Sequence, residues 1–193
     1  GNSLFDYNEK KESGTNKAFY ISNGRHLQNL DESSMCTDAM TAKAYLENDI
    51  ALGENSKFAE VYQKKDDKGY FNGFTDAKKL ETMTTVSVPD FKSVTNNALS
   101  LFTSEGTGKT YTISGLTTTG SGLFKSADST KNGKEETKGK FTVSNIRLTG
   151  ERVRSEGKNT VAGGLIGTVK NADVTIENVQ IYLDKEKGDI PST

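Results

Sequence analysis

Three stretches in the second half of the chain follow one pattern: YTISGLTT from Tyr111, FTVSNIRL from Phe141 and VTIENVQI from Val174. Their starts lie 30 and 33 residues apart. Each reads large apolar residue, Thr, Ile or Val, a polar residue, Gly or Asn, then apolar again. Within each stretch the apolar phase slips by one. In the third, Val174 and Ile176 share a strand face, but beyond Asn178 the apolar positions are Val179, Ile181 and Leu183. In the second, Phe141 and Val143 give way at Asn145 to Ile146 and Leu148. A slip in a period-two pattern flips the later set to solvent unless the strand bends there. Gly115, Asn145 and Asn178 stand at the expected bends, and Gly and Asn are the residues that tolerate a left-handed backbone.

A glycine-bounded strand follows the first and second copies: GSGLF (Gly120 to Phe124) and AGGLIGTV (Ala162 to Val169), with Leu123 matching Leu165 and Phe124 matching Ile166. The stretches between, KSADSTKNGKEETKGK and TGERVRSEGKN, read as solvated loops of unequal length. A unit of about 30 residues with short strands, bends and variable loops cannot bury its inner face alone, so copies must stack. The predicted fold is all-β: a single-stranded parallel β-helix, right-handed as parallel crossovers are, with a short N-terminal capping helix and long loop insertions. A sandwich would not repeat the bend and the Gly-Leu block in successive copies.

The thirteen residues SEGTGKTYTISGL (Ser104 to Leu116) contain GTGKT, the end of a phosphate-binding loop. That loop needs a glycine where this chain has Thr103, and a helix after Thr110. Strand chemistry and three glycines follow instead, so no nucleotide is expected. The glycines are read as a turn from Leu101 and Phe102 into Tyr111, with Lys109 facing solvent. Lys plus Arg number 25 against 26 Asp plus Glu, a net charge of −1, which offers a nucleic-acid backbone no basic field. A single cysteine, Cys36, leaves no internal disulfide and no cysteine-rich metal site. No apolar run is long enough to span a membrane. One domain is expected over 18–193, after a polar lead at 1–17. It comprises a cap segment at 18–40 with a helix capped at Ser22 or Asn23 and carrying Leu27 and Leu30, an early coil in AKAYLENDIAL, a charged insertion at 53–82, and the clearest repeats at 111–183.

The order FYISNGRHLQNL, YLENDIAL, FKSV, a glycine turn into YTISGL, then GLF, SNIRLTG, GGLIG and TIENVQIYL resembles the large repetitive surface proteins of Gram-positive gut bacteria. Their blocks are similar to the GLUG-type motif, in which a Gly-Leu strand alternates with an Ile-x-Asn-Val/Leu strand. The resemblance covers roughly residues 18 to 183. It departs at the turn before YTI, which reads SEGTGKTYTI here where the family reads like FDGNGYTI. It implies a secreted or wall-attached β-helical module, a fragment of something longer, with no known active site.

The candidate ligand-binding residues are Arg147, Arg152 and Arg154, three of the four arginines, together with Tyr70 and Phe71 of the insertion. Arg147 alternates with inward Ile146 and Leu148 and so faces outward, as the arginine base of a β-helical polysaccharide lyase would. Its neighbours Asp173 and Glu177 do not supply such an enzyme's acid cluster. Tyr62, Tyr70, Phe71 and Phe74 could contact sugar or anchor the insertion. His26 has no metal-spaced companion and reads as a helix-surface or capping residue, and Cys36 lacks a base and acid at any recognisable spacing. The mixed runs KKDDK, KEE and DKEKGD read as solubilising loops. The expectation is a non-enzymatic structural or adhesive module without cofactor, metal or catalytic residues, outside the cell, meeting host or cell-wall glycans or matrix proteins. The alternative is a β-helix that binds or cleaves an acidic polysaccharide.

Overall fold

The computed structural model of the protein describes residues 9–11, 17–31, 40–52, 91–130, 137–154 and 164–183. The insertion at 53–82, with Tyr62, Tyr70, Phe71 and Phe74, lies outside the described residues, as do Cys36 and the three mixed-charge runs. The described chain is all-β apart from one short helix. The strands are β1 (Glu9–Lys11), β2 (Lys17–Ile21), β3 (Ala42–Leu46), β4 (Ile50–Ala51), β5 (Val94–Asn96), β6 (Leu99–Ser104), β7 (Tyr111–Ser114), β8 (Thr117–Thr119), β9 (Phe124–Asp128), β10 (Gly139–Arg154), β11 (Ile166–Lys170) and β12 (Ala172–Leu183); the helix α1 spans Gly24–Asn29.

Every strand pair is parallel except β1 with β2. In the larger sheet β2, β3, β6, β10 and β12 follow one another as neighbours, and a smaller sheet holds β5, β9 and β11 in that order. The chain alternates between the two. It runs from β5 into β6, from β9 into β10 and from β11 into β12, so each passage lies on the one before.

The long strand β10 shows why the apolar phase slips. Thr142–Ser144 pair with Leu101–Thr103 of β6, Ile146–Thr149 pair with Tyr111–Ser114 of β7, and Arg152–Arg154 pair with Thr117–Thr119 of β8. The strand turns between these parts at Asn145 (φ 52°) and Gly150 (φ 63°), and β12 turns at Asn178 (φ 49°). Phe141, Val143, Ile146 and Leu148 are all fully buried despite their change of parity. The predicted pairing of the second and third copies holds residue for residue from Phe141↔Val174 to Leu148↔Ile181.

The first copy sits differently from the expected alignment. Tyr111 pairs with Ile146, not with the position of Phe141, and Gly115 (φ 74°) lies against Gly150, its N–H bonded to the Thr149 carbonyl at 2.9 Å. What answers to FTVS in that layer is Leu99–Ser104, and SEGTGKT is the corner that a single Asn145 forms one layer later. Gly106 (φ 97°) and Gly108 (φ 73°) make its turn, and Lys109 is exposed. A strand follows the loop, not a helix. The stretch from Thr149, read as a loop, is strand as far as Arg154.

The core lies between the two sheets. Phe124 of the smaller sheet meets Phe102 and Phe141 of the larger one edge to face, at centroid distances of 5.4 and 5.1 Å. Leu123, Leu165 and Phe124 are buried, and the expected match of Phe124 with Ile166 is a register pair. Helix α1 starts at Asn23, whose side chain accepts the His26 N–H at 2.9 Å, and buries Leu27. Beside it, Gln28 accepts from the Lys92 N–H at 2.8 Å and donates to the Lys92 carbonyl at 2.7 Å, while Asp31 accepts the Thr95 N–H at 2.7 Å. The helix and the turn after it thus satisfy backbone groups of Lys92 and Thr95, just before and within β5 at the edge of the smaller sheet. β1 pairs along the outer edge of β2 with the charged sequence EKK.

Candidate functional site

The register of the large sheet builds an outward face in rows. Thr112, Arg147 and Gln180 form one row and Ser114, Thr149 and Tyr182 the next; in a third, Thr103 and Ser144 are buried and Glu177 alone is exposed. The third continues to a stacked pair, Tyr45 and Tyr20, whose rings lie 5.4 Å apart at 26°. Successive residues in a row are about 4.8 Å apart by strand spacing. The face is therefore a regular lattice of hydroxyl, amide, guanidinium and phenol groups. Arg147 Nε donates to Gln180 Oε1 at 2.9 Å, and Ser144 Oγ to Thr103 Oγ1 at 2.9 Å. Asp173 is held by Lys138 at 2.5 Å.

The corner beside this face carries an asparagine ladder. Asn178 Nδ2 donates to Asn145 Oδ1 at 2.9 Å, and in the layer before, Ser104 Oγ donates to the Asn145 carbonyl at 2.6 Å while accepting the Tyr111 N–H at 2.8 Å. Asparagine does two things here: it tolerates the left-handed turn, and its amide links the layers. Asn145→Ala is expected to cost about 1–2 kcal/mol, the sum of a left-handed backbone without help and a lost hydrogen bond. Asn145→Gly, which keeps the backbone freedom, is expected to cost less than Asn145→Ala. Urea midpoints of the two variants give the comparison.

The three candidate arginines do not share one segment. Arg147 precedes the Gly150 corner and pairs in register with Thr112, whereas Arg152 and Arg154 follow it and pair with Thr117 and Thr119. Arg147 meets an amide rather than an acid cluster, and among the described residues no three His, Cys, Asp or Glu side chains gather to hold a metal ion. Tyr70 and Phe71 lie outside the described residues. His26 is buried at the helix start, within reach of Ser22 and Asn23. No helix among the described residues is long and apolar enough to cross a membrane.

One residue escaped the sequence reading. Glu151 is only 1% exposed, and neither carboxylate oxygen has a hydrogen-bond partner among the described residues. It occupies the inward position directly over Leu116 of the previous layer, whose carbonyl accepts the Arg152 N–H at 2.9 Å. A methyl group built on Gly164 would lie 3.7 Å both from Glu151 Oε2 and from Ile181 Cδ1. Burial without a compensating partner pushes the Glu151 carboxyl up to about 7. An alignment of Gly115-Leu116 on Gly150-Glu151 would have exposed this acid in an apolar column.

No protein-family model, curated protein or solved structure matches the chain.

Proposed function

We propose that the passages of this chain form a single-stranded, right-handed parallel β-helix, and that the module is structural or adhesive rather than enzymatic. It belongs outside the cell, secreted or held at a Gram-positive surface, as part of a larger repetitive protein with GLUG-like blocks. The observation that carries the reading is the ladder from β6 through β10 to β12, in which inward rows are apolar apart from Glu151, corners fall on Asn or Gly, and insertions leave the register intact. A stack of this kind can be lengthened by adding layers, which suits a stalk or display scaffold.

The outward rows support contact with a polyhydroxylated ligand. Evenly spaced side-chain donors and acceptors match the repeating hydroxyls of a glycan, and tyrosines offer apolar ring faces to sugars. Arg147, tied to Gln180, stands as a hydrogen-bonding group with no acid cluster around it among the described residues.

The test is binding of the purified chain to arrays of cell-wall and host glycans and to matrix proteins, alongside incubation with acidic polysaccharides. Binding that weakens severalfold in Arg147→Ala, with no cleavage of any polymer, is the expected result. Release of unsaturated oligosaccharides, lost in Arg147→Ala, would replace this reading with a lyase.

A further inference from the structure

One cation on the outer wall of the larger sheet is left without a counter-charge. Arg147 is half-buried in the segment Ile146–Thr149, and its Nε donates to Gln180 Oε1 at 2.9 Å. Among the described residues that is its one hydrogen bond, so the terminal nitrogens Nη1 and Nη2 stay unclaimed. The outward positions around it are Thr112, Ser114, Thr149, Gln180 and Tyr182, none of them charged at neutral pH. The acid in its own row, Asp49, stands two strands back beside Thr112, whose N–H its Oδ1 accepts at 2.8 Å. That is about 10 Å away by strand spacing, a full screening length in ~0.1 M salt.

The wall is a surface and not a pairing edge. Gln180 and Tyr182 are exposed on it, Tyr182 to 54%. A further strand beside β12 would lengthen its rows without covering them. Thr149 lies two residues along the strand from Arg147, and Tyr182 pairs with Thr149. Arg147 and Tyr182 are therefore set diagonally, about 8 Å apart by strand rise and spacing, a distance that one pyranose ring and its substituent carboxylate can bridge.

We propose that this wall binds an acidic polysaccharide, with Arg147 receiving the carboxylate of a hexuronic acid, Tyr182 its ring, and the hydroxyls of Thr149 and Ser114 its neighbouring hydroxyl groups. The inference rests on the reading of the outward rows as a glycan face and names the glycan. A guanidinium fixed at Nε offers its two Nη nitrogens as a fork, which matches a planar carboxylate with two parallel charge-assisted bonds. Gln180 is the positioning residue for that fork. A neutral sugar leaves the charge unanswered. An acidic peptide answers the charge but brings no ring face for Tyr182 and no hydroxyls for the rows.

Calorimetric titration of the purified 193-residue chain with polygalacturonate, its methyl ester, polyglutamate and dextran sulfate tests this. Polygalacturonate is expected to bind at least about tenfold tighter than each of the others, the worth of a hydrogen bond to a charged group. Gln180→Glu, which sets one of the chain's own carboxylates on Arg147, is expected to abolish the preference for acid over ester, as is Arg147→Ala, with circular dichroism spectra unchanged. Arg147→Lys keeps the charge without the fork and is expected to retain only part of the preference. Tyr182→Ala is expected to weaken acid and ester alike, severalfold. Equal binding of acid and ester, or binding of neutral glycans on an array but not of polygalacturonate, overturns this inference and leaves the glycan reading standing. A chain that binds no glycan overturns both. Tighter binding of polyglutamate or dextran sulfate, or a preference that survives Gln180→Glu, overturns the assignment to Arg147 and a uronic acid.

Discussion

Glu151→Met is expected to unfold at a higher urea concentration than wild type at pH 8, and the gap is expected to narrow steadily as the pH is lowered to 5. Burial lifts the Glu151 carboxyl from its ordinary 4.5 to about 7 in the folded chain. Between those values the folded state holds a proton that the unfolded state has released. Wild-type stability from this group is therefore fully present below about 4.5, falls as pH rises, and is lost above about 7. At 1.36 kcal/mol per pKa unit the swing is on the order of 3 kcal/mol, a large share of the ~5–15 kcal/mol that holds a domain together. Methionine fills the same column over Leu116 without a charge, so the variant lacks the slope. A residual gain at pH 5 is also expected, because even the neutral carboxyl leaves its oxygens without partners among the described residues. A variant-to-wild-type difference that does not change with pH would refute the assignment of Glu151 as a buried acid.

Phe124→Ala is expected to cost about 3–5 kcal/mol and to broaden or abolish cooperative unfolding. Phe124 is fully buried and is the ring through which the smaller sheet touches the larger, edge to face with Phe102 and Phe141 on both sides. Its loss removes two aromatic contacts as well as the volume that separates the sheets. Phe124→Leu, which retains most of that volume, is expected to cost less than half as much. Thr175→Ala, on the exposed outward face of β12, is expected to lie within about 0.5 kcal/mol of wild type. Equilibrium urea denaturation of the three variants orders them, and an alanine variant as stable as the threonine one would mean that the sheets are not joined through Phe124.

The parity slip at Asn145 and Asn178 was legible in the sequence because asparagine both breaks the alternation and tolerates the turn that the break demands. With it came the parallel pairing of the last two layers and the buried set Phe141, Val143, Ile146 and Leu148. The first layer was misplaced because the same corner is drawn there with seven residues instead of one. Matching YTIS to FTVS by residue type put Gly115 over Asn145, whereas the hydrogen bonds put it beside Gly150. That single offset hid Glu151, since only the true register sets it over Leu116. Ile176, predicted inward, is half exposed for a reason the alternation does not encode: its strand is the last described in the stack. The hold of Gln28 and Asp31 on Lys92 and Thr95 spans 64 residues of sequence, and no local pattern announces a partner so distant. The candidate arginines fall within eight residues of sequence, and the fold divides them across the corner at Gly150.

The corner at SEGTGKT has one more consequence. Thr103 still pairs with Ser144 and Tyr111 with Ile146 although the connecting lengths differ, so the spacing of the layers is insulated from whatever the corner carries. Gly106, Thr107 and Gly108 lie exposed on it. A foreign peptide spliced between those two glycines would be presented on a rigid frame without renumbering a single backbone bond beneath it, which makes this position a natural grafting port.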